Sequence, residues 1–115
     1  MKLSGNFDVD GLLAKEDERY QVIDNNFLKN LVLSSTKLNP GHSTSGHKHS
    51  GQEEIYIFIK GSGEMTLVHP NKEEDTFIVS KGDIVLIEDD VHHKVSNTSK
   101  DELYFVCIFD GKRID

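Results

Sequence analysis

The chain has 115 residues, a formal net charge of −7 and 36% hydrophobic residues. This length fits one domain with a lean core, and the acidic balance argues against nucleic acid and anionic membranes as partners. No apolar run is long enough for a signal peptide or a membrane span, and the single Cys107 cannot form an internal disulfide. We therefore expect a cytoplasmic protein with a single domain over residues 1–115.

In chain order, the sequence predicts an arm followed by many short strands. Residues 1–26 form the expected N-terminal arm, with at most a short helical turn within 7–20 and a solvated charged cluster at 15–19. Residues 27–109 form the expected barrel core, because segments rich in β-branched and aromatic residues alternate there with turn residues. This pattern predicts an all-β sandwich or barrel. The expected strands are 27–38, 54–59, 63–69, 75–79, 84–87, 93–96 and 103–109.

Side-chain alternation gives the predicted strand 54–59 two different faces. Side chains at i and i+2 of a strand point the same way, so Glu54, Tyr56 and Phe58 share one face and three isoleucines share the other. Such an isoleucine row is unusual on a solvated surface. It predicts cover by a second sheet, by the arm or by a partner subunit, and we expect a two-fold homodimer packed through sheet faces. The segment 84–87 is apolar on both faces, which predicts burial on both sides.

Three histidines and one glutamate stand in two blocks between residues 41 and 97. His47 and His49 lie two positions apart, so on a strand both imidazoles can point to one place, roughly 6.6 Å apart along it. The same block holds Glu54, and the second block holds His93. Three imidazole nitrogens and one carboxylate oxygen suit a divalent transition metal and leave positions open for water or substrate.

The two blocks resemble the two-part signature of the cupin family. The first part has glycine, His-x-His, glutamate and glycine at set spacings, and the second has glycine, histidine and asparagine. Two positions depart from it, because Glu88 stands where proline is usual and Asp90 where glycine is usual, and both belong to a turn. The matching residues are Gly41, His47, His49, Glu54, Gly61, Gly82, His93 and Asn97.

The resemblance implies a cupin jelly-roll barrel, a double-stranded β-helix, that holds one divalent transition metal (Fe, Mn, Ni or Zn). The implied ligands are His47, His49, Glu54 and His93. Glu53 and His92 stand beside two of them and are the competing assignments. Motif spacing and a shared parity with Tyr56 favour Glu54 over Glu53, and the three residues before Asn97 favour His93 over His92.

The chain is also similar to small cupins labelled mannose-6-phosphate isomerase-like, and this similarity guides the functional hypotheses. The first is a metal-dependent enzyme that acts on a small oxygen-bearing molecule such as a sugar derivative. Tyr56 and His92 are its candidate proton-handling residues; alternatively, Tyr56 packs in the core and His92 lies at the cavity rim. An Fe(II)-dependent dioxygenase would use the same metal ligands. A non-catalytic module that binds or senses a metal and a small ligand is the hypothesis of a different class.

Overall fold

Nine antiparallel strands form the regular structure in the part of the chain that the structure describes. The structure is a computed structural model, and it describes residues 1–46, 48 and 51–111. No helix occurs in these residues. The strands are β1 (Leu12–Glu16), β2 (Tyr20–Asn25), β3 (Leu31–Leu38), β4 (Glu54–Lys60), β5 (Ser62–Val68), β6 (Glu74–Ser80), β7 (Ile84–Ile87), β8 (His92–Ser96) and β9 (Leu103–Asp110).

The strands form two sheets that enclose the core between them. The larger sheet has the order β1-β2-β3-β9-β4-β7, and the smaller has the order β6-β5-β8. This confirms the predicted all-β class, and each of the seven expected strands is present. The first begins at Leu31 instead of residue 27, and the others differ by at most one residue at either end. Both sheets contribute the most deeply buried apolar side chains, those under 2% exposed: Phe58, Phe105, Leu38, Met65, Leu103, Val79 and Val95.

The predicted sidedness of β4 is confirmed. Glu54, Tyr56 and Phe58 are buried, whereas Ile55 is exposed and the next two isoleucines are half-buried. The same alternation holds on β8, where His93 and Val95 are buried and Lys94 is exposed. The inner face of β4 therefore presents a carboxylate and a phenol toward the strand that carries His93.

The prediction for residues 1–26 was wrong about their local structure. They contain β1 and β2, which form a hairpin that extends the larger sheet beyond β3. The charged cluster holds the turn of this hairpin, because the Asp17 carboxylate accepts a hydrogen bond from the Arg19 backbone N–H at 2.8 Å. All of β1 is exposed, and Val22 and Ile23 are both apolar, so this region lacks the clean alternation that marks a strand.

The expectation that β7 is buried on both faces was also wrong. Val85 and Ile87 point into the core, but Ile84 and Leu86 are 64% and 68% exposed. The reason is that β7 forms one edge of the larger sheet, and no other part of the described chain covers its outer face. This leaves exposed apolar surface where the sequence predicted cover.

Residues before β1 cover part of the outer face of the larger sheet. Tyr104 lies on that face of β9, and its hydroxyl donates a hydrogen bond to the Phe7 carbonyl at 2.8 Å. Tyr104 and Val106 are both 7% exposed although they point away from the barrel interior. Burial raises the pKa of Tyr104 above its ordinary value. The contact ties the chain that leads into β1 to the back of the sheet.

Candidate metal centre and cavity

Glu54 and His93 meet at one end of the barrel interior. Glu54 begins β4 in the larger sheet and His93 lies on β8 in the smaller one, so the closure of the two sheets brings them together. His93 Nε2 lies 3.6 Å from Glu54 Oε2, and the two side chains are only 2% and 3% exposed. The structure thus pairs one predicted imidazole ligand with the predicted carboxylate ligand.

The geometry of this pair fits two ligands of one ion. The other ring nitrogen of His93, Nδ1, lies 3.2 Å from the Val91 carbonyl. When Nδ1–H donates to that carbonyl, the Nε2 lone pair is left to face Glu54, as is common for metal-binding histidines. Two donor atoms at about 2.1 Å from an ion lie about 3.0 Å apart at a right angle and about 3.4 Å apart at the tetrahedral angle. The 3.6 Å separation is close to that range and is longer than an ordinary hydrogen bond.

The remaining predicted ligands, His47 and His49, lie outside the described residues. The segment that precedes them is held along β8, the strand of His93. Thr44 N–H donates to the Val95 carbonyl at 2.9 Å, and the Val95 N–H donates to the Thr44 hydroxyl at 3.0 Å. After the histidines, the Gly51 N–H donates to the Asp89 carboxylate in the turn before β8. Both ends of the His-x-His segment are therefore bonded to the second motif.

His92 points away from His93. It is half-buried, and because neighbouring side chains of a strand alternate, it lies on the opposite face of β8 from buried His93. Its ring packs on Gly46, where an added Cβ would stand 2.7 Å from His92 Cε1. Gly46 also has a φ of +79°, which favours glycine. His92 thus contacts the loop that leads to His47, and its role in proton transfer stays a prediction.

Tyr56 stands beside the Glu54–His93 pair. It is 6% exposed, and its ring centroid lies 5.5 Å from that of His93 in an edge-on arrangement. The other side of the ring stacks on Phe105 at a centroid distance of 5.3 Å. These contacts fix the plane of the Tyr56 ring. Tyr56 packs in the core and also borders the candidate site, so its position is compatible with both predicted roles, core packing and proton transfer.

A cavity of about 270 Å³ runs through the barrel interior from Glu54 and Tyr56 toward β1 and β2. Phe105, Cys107 and Phe109 form apolar parts of its wall. The described lining residues also include the polar side chains Lys15, Asp24, Ser34, Thr36, Thr44 and Ser45.

Asp24, Ser34 and Lys15 are cavity residues that the sequence analysis missed. Lys15 and Asp24 lie on the hairpin that was assigned to the arm. A signal was available for Ser34 and Thr36, which occupy alternate, inward positions of β3 and are 6% and 7% exposed. Buried hydroxyls on one face of a strand are typical of a polar cavity or a satisfied internal network.

Two other positions of the second motif shape turns. Asn97 is 2% exposed, and its amide nitrogen donates to the carbonyls of Leu38 and Asp101 at 2.9 and 2.8 Å. Its amide oxygen accepts from the backbone and hydroxyl of Ser99. Asp90, which stands where glycine is usual, has a φ of +62°, a conformation that aspartate tolerates better than most residues. The departure from the motif is therefore accommodated in the turn.

The comparisons with known proteins agree with this architecture. A family model described as Cupin domain matches residues 34–109, and the chain belongs to the cupin family. One solved structure with the same fold is oxalate decarboxylase from Bacillus subtilis, with a TM-score of 0.77 and 26% identity. The match covers 82% of this chain and 26% of that one.

Two curated relatives carry different functional names. The chain is 30% identical over 77 residues to an oxalate-binding protein of Thermotoga maritima, covering 67% of this chain and 60% of the relative. It is 29% identical over 110 residues to a glucose-6-phosphate isomerase of Pyrococcus abyssi, covering 85% of this chain and 58% of the relative. The chain thus spans about three-fifths of the length of each of these relatives.

The described part of the chain contains no helix that is long enough and apolar enough to cross a membrane.

Proposed function

We propose that the protein is a metal-dependent enzyme that acts on a small oxygen-bearing molecule such as a sugar derivative, with isomerase-like chemistry. The observation that carries the proposal is the buried approach of His93 Nε2 to Glu54 Oε2, because Glu54 also lines a cavity that holds several polar side chains. His47 and His49 would complete the ligand set of one divalent ion, Fe, Mn, Ni or Zn. The glucose-6-phosphate isomerase of Pyrococcus abyssi supports the reaction class.

The ion, when bound, would supply Lewis-acid polarisation of a substrate oxygen. The protein's own contributions follow from the cavity. Tyr56, whose ring lies beside His93, would exchange a proton with the substrate through its hydroxyl. Phe105, Cys107 and Phe109 would keep the wall beside it apolar. His92 supports the loop through Gly46, and its direct participation remains the less favoured assignment.

The test is incubation of the protein, loaded in turn with Fe(II), Mn(II), Ni(II) and Zn(II), with aldoses, ketoses, their phosphates and oxalate. Mass spectrometry and NMR identify products, and the Fe(II) arm with O₂ covers the dioxygenase alternative. We expect conversion that chelation abolishes, and a fall in kcat of about 10²-fold in Tyr56→Phe. Tyr104→Phe, on the outer face of the larger sheet, is the matched control and should retain kcat. Conversion that survives complete metal removal would overturn the proposal.

A non-catalytic binding module is the second candidate, and the oxalate-binding protein of Thermotoga maritima favours it. Such a module would hold a metal and a small ligand in the same cavity without turnover. The same incubation separates the two candidates, because the module predicts tight ligand binding to the metal-loaded protein and recovery of every ligand unchanged.

We also propose that the protein forms a two-fold homodimer through the outer face of its larger sheet. Strand register aligns Leu86 with Ile55, and Ile55 with Ile108. Ile57 likewise lies beside Ile84. The resulting apolar surface crosses three strands, and exposed apolar patches of this kind favour subunit contacts. A stable interface would bury on the order of 1,200 Å² or more in total.

Light scattering of Leu86→Glu tests the dimer. We expect wild type to be dimeric at micromolar concentration and Leu86→Glu to be monomeric, because a carboxylate would be buried in the interface. Ile78→Glu is the matched control, since Ile78 is 79% exposed on the smaller sheet. A monomeric wild type, or equal dissociation in both variants, would refute this interface.

A further inference from the structure

The inner face of the larger sheet carries a line of residues that leads away from the candidate metal centre. Strand register aligns Tyr56 on β4 with Cys107 on β9, Cys107 with Ser34 on β3, and Ser34 with Asp24 on β2. All four side chains line the cavity. Neighbouring strands are about 4.8 Å apart, so three steps place β2 roughly 14 Å from β4 along the sheet.

Asp24 and Ser34 form a fixed pair at the far end of this line. The Ser34 hydroxyl donates to Asp24 Oδ1 at 2.6 Å, and Ser34 is 6% exposed. A hydroxyl has one proton to donate, and here it is committed to the carboxylate. The pair therefore presents to the cavity oxygen atoms that accept hydrogen bonds. A ligand that reaches the pair must supply hydrogen-bond donors.

The charge of this pair also disfavours any longer ligand that would bring a carboxylate to this end of the cavity. A second carboxylate brought beside Asp24 would meet a like charge in a confined space, which is unfavourable. Hydroxyl groups, in contrast, donate to carboxylates in short, charge-assisted hydrogen bonds. Lys15 on β1 also lines the cavity; it is exposed, and its Nζ lies 6.0 Å from the centroid of the Tyr20 ring.

We propose that Asp24, held by Ser34, is the specificity-determining residue of the cavity and selects an extended neutral ligand with several hydroxyl groups over a short dicarboxylate. The ligand would place one end at Glu54 and Tyr56 and donate hydroxyl protons to Asp24 from the other. This rests on the proposed function for the metal end and adds the class of substrate. A two-carbon dicarboxylate is too short to reach Asp24 while its oxygens occupy the metal end.

Binding of D-sorbitol and of oxalate to the Mn(II)-loaded protein tests the proposal, measured by NMR relaxation and calorimetry. We expect Asp24→Ala to weaken sorbitol binding by at least about tenfold and to change oxalate binding by less than about twofold. Ser34→Ala keeps the carboxylate but frees its rotation, so sorbitol binding should weaken by about two- to fivefold. Asp75→Asn is the matched control, because the Asp75 carboxylate is 65% exposed on the outside, and should change neither ligand.

Equal sorbitol affinity in wild type and Asp24→Ala would overturn the proposal, as would a wild type that binds oxalate and not sorbitol. Circular dichroism of each variant verifies the fold, and Ser34→Ala gives an independent reading if Asp24→Ala is unfolded. The metal content of the variants separates this test from that of the proposed function. If an Asp24 variant keeps its full metal content and its sorbitol affinity, only the proposed role of Asp24 in ligand selection is contradicted. If wild type binds no metal, the proposed metal-dependent function is contradicted.

Discussion

The two ends of the barrel cavity are built differently. At the end that holds the candidate metal centre, called the metal end below, Glu54 and His93 are almost fully buried and face each other from two sheets. At the far end, Asp24 is half-buried on a strand of the hairpin that extends the larger sheet, and β1 beside it is fully exposed. The first end is held from both sides of the barrel, whereas the second depends on one hairpin and the chain that anchors it.

This difference indicates a division of roles between the ends. A metal centre needs ligands fixed within a few tenths of an ångström, and the buried end provides that rigidity. Ligand selection requires less rigid side chains than metal binding does. Residues of strands near a sheet edge can also be substituted without disturbing the core. Family members can therefore differ in the ligands they accept, and the two curated relatives carry different functional names.

The largest expected effect comes from breaking the metal end at Glu54. Glu54→Gln removes the charge of the carboxylate ligand, and we expect metal affinity to fall by more than the roughly 10–100-fold seen when an outer-shell partner is lost. Glu53→Gln is the matched control, because Glu53 is the exposed neighbour and competes for the same assignment. Metal titration of both variants decides between them. Equal affinities would contradict the ligand assignment, and loss only in Glu53→Gln would reverse it.

The next effect concerns the turn that follows β8, the strand of His93. Asn97→Ala removes four hydrogen bonds, two of them from the buried Asn97 amide to the carbonyls of Leu38 and Asp101, so we expect a loss of about 2–4 kcal/mol in the free energy of unfolding. Asn71→Ala is the matched control. Asn71 makes a single exposed turn contact with Glu73 among the described bonds, and should lose less than about 1 kcal/mol. Urea unfolding measures both, and similar losses would show that the turn does not brace the barrel.

The smallest effect concerns the anchor of the far end. Tyr104→Phe removes the bond to Phe7 and should lower the free energy of unfolding by about 1 kcal/mol without changing metal affinity. Because burial raises the pKa of Tyr104 above 10.0, the folded protein keeps this proton at pH values where the unfolded chain releases it. Stability from this group is complete below that value and falls as pH rises above it. Unfolding measured at neutral and alkaline pH should show a smaller alkaline loss in Tyr104→Phe, and an unchanged loss would contradict the assignment.

The sequence predicted the residues of the candidate metal centre far better than those at the Asp24 end of the cavity. Alternation along β4 and β8 placed Glu54, Tyr56 and His93 on inward faces, and motif spacing singled out Glu54 and His93 from their neighbours. The structure confirms these inward positions and brings the pair together. The ligand roles themselves, and those of His47 and His49, stay predictions.

The hairpin of β1 and β2 could not be predicted for physical reasons. β1 is a short, wholly exposed edge strand, so burial imposes no pattern on it. In β2, Val22 faces the core and Ile23 is its apolar neighbour, which hides the alternation. The position of Asp24 depends on pairing with β3, a contact that local sequence does not encode. The exposure of the outer face of β7 was not predicted, because a run of apolar residues does not indicate whether another element covers each of its faces.

X-ray absorption spectroscopy of the protein loaded with one equivalent of Zn(II) tests the metal centre most directly. We expect a first shell of nitrogen and oxygen atoms at about 2.0–2.2 Å from the zinc, with outer-shell scattering from the imidazoles of His47, His49 and His93. In Glu54→Gln the oxygen contribution or the bound metal itself should be lost. Failure to bind a stoichiometric ion, or a shell without imidazole scattering, would contradict a metal site at this end of the barrel.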